Sequence, residues 1–276
     1  MKPKQKDAIV EILQLRQVRL VVYLLGNTPL VMNRMTKKAR EELLLPARKK
    51  NRASLEAAQK HNPPDEYRDS VYRCRDPKAP TLVHFPTNSF KKAMAQAAID
   101  IPGAAKAQIG RLVSIADETV HIYGVPYLHM AVVRQAGINK APDIRTRAIF
   151  PQWACKLTIS YIGNLLTESN VINLIAAAGI ITGIGDGRTE KGTFDFGRWD
   201  IVSKDDKRWH DVVSKQGRKP QEAALAKPIA FDADSEELLA WYDAEVIRRE
   251  IIQPKKPKHG PLQGKQKDNG RREVRQ

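Results

Sequence analysis

Residues 18 to 25 (VRLVVYLL) form an apolar run rich in valine and leucine, closed by Gly26-Asn27-Thr28-Pro29. Branched side chains pack well on a pleated surface, and a Gly–Asn–Thr–Pro turn stops the run, so it reads as a strand. Apolar on both parities, it is expected at the centre of a sheet with both faces covered. A chain that begins this way has to build a layered fold around that strand.

Further along, Thr36 to Lys60 places Leu43, Leu44, Leu45, Ala47 and Leu55 among charged residues, a helical pattern that Pro46 bends or divides, and Pro63-Pro64 reads as a break. Thr81–Pro86 is a short strand, after which Thr87, Asn88 or Ser89 can cap a helix from about Phe90 to Ile99. Thr119–Tyr123, Tyr127–Val133 and Ala154–Ile162 read as strands, and Val133–Phe150 as a polar, basic, turn-rich stretch. Thr167–Gly179 carries a capping hydroxyl and Val171, Leu174, Ile175 and Ala178 at helical spacing. Phe196–Val202 is a further strand, and Asp234 or Ser235 caps a last helix with Leu238, Leu239, Tyr242 and Val246 inward. The principal order is βαββαβ, with a large insertion after the first strand and another before the third. That is an α+β, modified ferredoxin-like (RRM-like) plan, in which two helices cover one face of an antiparallel sheet and the other stays free for a ligand. It implies one palm over residues 1–253, with insertions at about 31–80 and 100–150, and a disordered basic tail over 254–276.

Charge narrows the function. The 276 residues carry a formal charge of +16 with 42% apolar content, enough for a core and unusual without a polyanionic partner. From Arg248 to the end there are ten Lys/Arg against three Asp/Glu, so nine of the sixteen charges belong to the body. Nucleic acid is preferred over a membrane surface, because no basic amphipathic helix with a Trp/Phe/Leu face is evident. The absence of an eighteen-residue apolar run and of a secretory leader gives a cytoplasmic expectation. Cys74 and Cys155 read as two reduced thiols, with a disulfide between them left open. The six histidines show no metal spacing and no cofactor motif appears. Asp232, Asp234 and Glu236 begin like a calcium loop, but Glu237 stands where glycine is required, so they read as helix capping.

The sharpest segment runs from Gly183 to Arg198 (GIGDGRTEKGTFDFGR). Its glycines let backbone amides approach a phosphate, and Arg188, Lys191 and Arg198 can neutralise one. It fails the dinucleotide fingerprint, because the third glycine is missing and a helix precedes it. It fails the Walker pattern because Thr193 replaces the lysine. Arg145 and Arg147 share one face if their segment is extended. Lys91 and Lys92 at a helix start, with Arg34, Lys37 and Lys38 after the first strand, complete the candidates, together with Gly185 and Gly187. Tyr23, Phe194, Phe196, Trp199 and Trp209 could stack bases, with core packing the expected fate of Tyr23 and Trp199.

These features resemble the RAMP superfamily of CRISPR-associated proteins. The shared features are the first strand ending in GNTPLVMN (26–33), Pro86 with the Ser89-Phe90-Lys91-Lys92-Ala93 helix start, and the loop from Gly183-x-Gly185-Asp186-Gly187-Arg188 to Phe196-Gly197-Arg198. The likeness covers residues 18 to 203 outside the insertions. It is nearest in pattern to the repeated, crRNA-coating backbone subunit of Cascade-type complexes and to phage or mobile-element proteins of that fold. It implies a palm with a thumb-like insertion, side-by-side oligomerisation or a helical filament along RNA rather than single-stranded DNA, and a place in a multi-subunit complex. Arg188, Lys191 and Arg198 would then grip backbone and Arg145 and Arg147 serve the insertion. The expected activity is non-catalytic strand coating. The alternatives are a metal-independent endoribonuclease using His84, His121 or His129, and a phage protein-interaction module or inhibitor.

Overall fold

The computed structural model describes residues 13–45, 61–134, 142–191 and 194–249. The chain runs through β1 (Gln17–Gly26), β2 (Leu30–Val31), α1 (Lys37–Leu44), α2 (Pro63–Asp69), β3 (Tyr72–Arg73) and β4 (Val83–Pro86). Then come α3 (Asn88–Ala97), α4 (Lys106–Leu112), β5 (Val113–Ile115), β6 (Thr119–His121), β7 (Tyr127–Arg134) and β8 (Pro142–Phe150). After these follow β9 (Ala154–Ile162), α5 (Glu168–Ala177), a π turn over Ala178–Thr182, β10 (Trp199–Val202), α6 (Lys207–Lys215), α7 (Arg218–Ala226) and α8 (Ala233–Arg248). No described helix is long and apolar enough to cross a membrane.

The main sheet is four-stranded and antiparallel in the order β10-β1-β9-β5. With α3 after β1 and α5 after β9, this is the expected ferredoxin-like plan of an α+β fold. Val22 and Leu24 of β1, Leu157 and Ile159 of β9, Phe90 and Met94 of α3, and Val171 and Ile175 of α5 meet in one buried cluster. The second strand of the palm is β5, three residues that no alternation marks. Thr119–His121 instead joins a small sheet ordered β3-β4-β6.

β1 is not covered on both faces. Val18, Leu20, Val22 and Leu24 face the core, whereas Arg19 and Val21 on the other parity are exposed. Only the far end of that open face is roofed, by α6. Trp209 meets Tyr23 edge-on at 5.1 Å and donates its indole N–H to the Cys155 carbonyl at 3.4 Å.

A second sheet, β2-β8-β7, carries the inserted ribbon. β8 occupies what the sequence presents as a polar, turn-rich stretch. Alternation puts Thr146, Ala148 and Phe150 on one parity and the arginines on the other, and residues 146–150 are buried throughout. Pro63 and Pro64 open α2 instead of breaking the chain, since proline lacks the N–H that a first helical turn leaves unbonded. Asp232, rather than Asp234 or Ser235, caps α8 by accepting from the Ser235 amide at 2.8 Å. α6 and α7 have no counterpart in the sequence reading. α7 is locked by Gln221, fully buried, whose amide oxygen accepts from the Leu82 and Val83 amides while its nitrogen donates to the Ile122 and Gly124 carbonyls. Cys74 and Cys155 are both free thiols. The basic tail, 254–276, and the second half of the Thr36–Lys60 helix lie outside the described residues.

Candidate nucleic-acid interface

The glycine segment leaves the π turn at the end of α5 and folds against β2. It is strapped down: the Asp186 amide donates to the Val31 carbonyl at 2.9 Å, the Ile184 amide to Gly197 at 3.0 Å and the Gly197 amide to Pro29 at 2.7 Å. Glycine is required at Gly185 (φ 82°) and Gly197 (φ 71°), where a Cβ would collide with the carbonyl oxygens of Val31 and Ile184. These contacts leave no room for a side chain at either glycine. The amides of Gly185 and Gly187 donate to no described residue.

Two clefts flank this segment and share Asp186. The larger, ≈ 580 Å³, lies between the loop and the first turns of α3, with Lys92, Lys106 and Arg188 on its wall beside Asp186 and Glu190. The smaller is a slot of ≈ 30 Å³ under Phe194 and Phe196, floored by His129, Ala131 and Val133 of β7 and by Arg145 and Arg147 of β8. Register places Arg147 opposite His129 and Arg145 opposite Ala131, so the two arginines do share one face.

The cations differ in how far they are already engaged. Arg147 is 8% exposed and ion-paired with Asp186. Burial, with Arg145 beside it, pushes its guanidinium down to about 10, which leaves it charged at neutral pH. Arg188 donates Nε to Glu190 at 2.8 Å and Nη1 to the Gly185 carbonyl at 3.3 Å. The side chains of Lys91, Lys92 and Arg145 make no hydrogen bond or ion pair with any described residue. Lys92 and Arg145 are exposed and Lys91 is half-buried.

The remaining candidates are dispersed. Arg34 lies by Tyr72 and His84, where its charge favours ionisation of the phenol and opposes protonation of the imidazole, and its amide donates to Ser70. Lys37 is paired with Glu41 at 3.6 Å on α1, and the side chain of Lys38 lies outside the described part. Lys191 sits on a 3₁₀ turn over Thr189–Lys191. Arg198 lines neither cleft. Its amide is held by Thr28 Oγ1 at 2.9 Å, and its Nε is buried without a hydrogen-bond partner.

Trp199 is fully buried and Trp209 nearly so, which leaves Phe194, 44% exposed and stacked on Phe196 at 5.2 Å, as the open aromatic of the set. The three histidines fall in two places. His84 and His121 are cross-strand partners in the small sheet. His129 Nδ1 is 3.1 Å from Asp232. Burial, aided by His121 and Arg34, lowers the His84 pKa below its ordinary value. The loop carboxylate on Arg147 is the element that spacing could not reveal, since the two residues meet only when the ribbon folds over the loop.

No protein-family model matches the chain, and no curated protein matches it. Among solved structures, a chain of a cryo-EM structure of the Type III-B Cmr-beta bound to cognate target RNA is similar to it, 10% identical over 68% of this chain with a TM-score of 0.32. This chain covers 59% of the length of that one.

Proposed function

We propose that the chain holds the sugar–phosphate backbone of a single-stranded nucleic acid, RNA before DNA, across the glycine loop and the arginine face of β8, coating the strand without cutting it. The observation that carries this is the set Lys92, Lys106, Arg188, Arg145 and Arg147 around the strapped loop, with Asp186 and Glu190 the carboxylates that line the same two clefts. Lys92 and Arg145 are charges with nothing inside the described molecule to neutralise them, and exposed Phe194 offers a ring for a base. Side-by-side copies along one strand would extend the track. Fluorescence anisotropy of labelled oligouridine and oligodeoxythymidine at two salt concentrations is the test. Affinity should fall steeply with salt, and the Lys92→Ala/Arg145→Ala pair should flatten the dependence by about 1.4 in log–log slope. A slope near zero for the intact protein ends the proposal.

A rival has one observation behind it. His129, oriented by Asp232, borders the arginine slot and could take the proton of a 2′-hydroxyl as its oxygen attacks the adjacent phosphorus and expels the 5′-oxygen. RNA cut in EDTA, with loss of cutting in His129→Ala, would move the reading to that reaction.

A further inference from the structure

The larger cleft contains more than a backbone track needs. Phosphates require cations and amides. This cleft also has an aromatic wall, where Tyr72 and Phe85 meet edge-to-face at 5.8 Å. It has hydrogen-bonding groups with nothing to bind as well. The side chains of Asn33 and Ser89 line it and bond to no described residue, in contrast to Gln96, whose amide oxygen is taken by Lys106 Nζ at 2.7 Å. An amide offers donor and acceptor together, the combination that a base edge presents. Burial raises the Tyr72 pKa, so its hydroxyl stays protonated. The volume, ≈ 580 Å³, lies within the roughly 300–1,000 Å³ span of small-molecule sites. The slot beneath Phe194, at ≈ 30 Å³, has no such room.

We propose that this cleft is a single-nucleotide subsite: one base of the bound strand turns out of its stack to lie between Tyr72, Asn33 and Ser89, with its phosphate on Lys92. The inference rests on the backbone-binding reading and adds a base-dependent step to it. Turning out a base is easiest in a single strand, where stacking alone must be broken.

The experiment separates the two readings. Intact oligouridine and an abasic oligomer of equal length carry the same phosphates. The intact strand should bind roughly tenfold tighter, since stacking on an aromatic is worth about 1–3 kcal/mol per base. The two salt slopes should be equal. Gln96→Trp, which fills the cleft, should move the intact strand toward the abasic level, leaving only what stacking on Phe194 contributes. Asn33→Ala, an exposed change that leaves the fold alone, should remove part of the difference. Uridine, which carries the base without a phosphate, should at millimolar concentration compete against the intact strand and not against the abasic one; equal competition against both overturns the subsite. Equal binding of both oligomers with a normal salt slope overturns the subsite and spares the backbone reading. A difference that both substitutions leave undiminished overturns this location for it. No salt slope for either oligomer means that the backbone reading itself has failed.

Discussion

On the proposed reading, Asp186 occupies the position against Arg147 that a strand phosphate would take. Replacing it with asparagine should therefore tighten nucleic-acid binding while weakening the fold. A phosphate about 6 Å from that carboxylate, in a water-like dielectric, is repelled by about 0.7 kcal/mol. Removing the repulsion is worth about threefold in Kd. Arg147, released from its partner, can also neutralise one further phosphate, which steepens the salt slope on a single strand by about 0.7. Together these predict a three- to tenfold gain near 50 mM salt that fades by 200 mM, since screening shortens the reach of exposed charges to about 10 Å near 0.1 M salt. Stability moves the other way. Arg147 is 8% exposed, and a guanidinium left there without its counter-charge costs about 1–3 kcal/mol. At about 2–4 °C per kcal/mol the Tm should drop by several degrees. Anisotropy titrations at the two salts and a thermal melt read both effects. Weaker binding by Asp186→Asn, or an unchanged slope with unchanged affinity, refutes the idea that this carboxylate competes with phosphate for Arg147.

Three further outcomes follow from the packing. Gln221→Leu strands two amides and two carbonyls in the core at once and should lower stability by about 2–5 kcal/mol, seen as a collapse of the denaturant midpoint. Gly197→Ala forces a φ of 71° on an alanine and drives its methyl into the Ile184 carbonyl, so melting temperature and oligonucleotide affinity should fall together. His84 is held below the ordinary 6.5 by burial first and by the charges of His121 and Arg34 after it. The unfolded chain then binds its proton at a higher pH than the folded one. The contribution is complete above about 6.5 and is lost as pH falls through that value toward the folded pKa. Melting curves from pH 7.5 to 5.5 should show this loss, and His84→Gln should reduce it.

How much of this is legible in the sequence follows from the range of each interaction. β9 and α5 are legible because their patterns are local: alternation over Ala154–Ile162, and a capping Thr167 followed by apolar residues at helical spacing. β5 is not. Three residues cannot display a period, and Val113–Ile115 become a strand only by pairing with Ile159–Tyr161. β8 is misleading for a different reason. Arginines at 145 and 147 look like loop charge until the neighbouring parity, Thr146 and Ala148, is seen to be buried. α7 hides behind Gln221, a polar side chain that composition assigns to the surface and four hydrogen bonds place in the core. In the site, the shared face of Arg145 and Arg147 follows from alternation alone. That Arg188 and Arg198 part company does not, because the segment doubles back, with the Phe196 amide donating to Gly187, before β10 begins.

The doubling back also bears on where a strand would lie. A four-stranded antiparallel sheet with helices on one side leaves its other face as the natural bed for a ligand. That bed is partly taken here. α6 roofs one end, where Val212 and Trp209 pack with Tyr23 and Leu25. Tyr23 is the one aromatic residue that the described strands of the main sheet place on that face; it has Trp209 on one side and Lys156 Nζ 6.0 Å from its ring centroid. Arg19 and Val21 remain, a charge and an aliphatic with no ring for a base to stack on. The ring of Phe194 and the cleft cations without a described partner, Lys92 and Arg145, lie off the sheet, where the glycine loop meets the ribbon. On the proposed reading the strand therefore crosses the end of the sheet instead of its face. The strapping of the loop then matters, since the Gly185 and Gly187 amides, which donate to no described residue, can present to a phosphate only if the backbone around them keeps its shape.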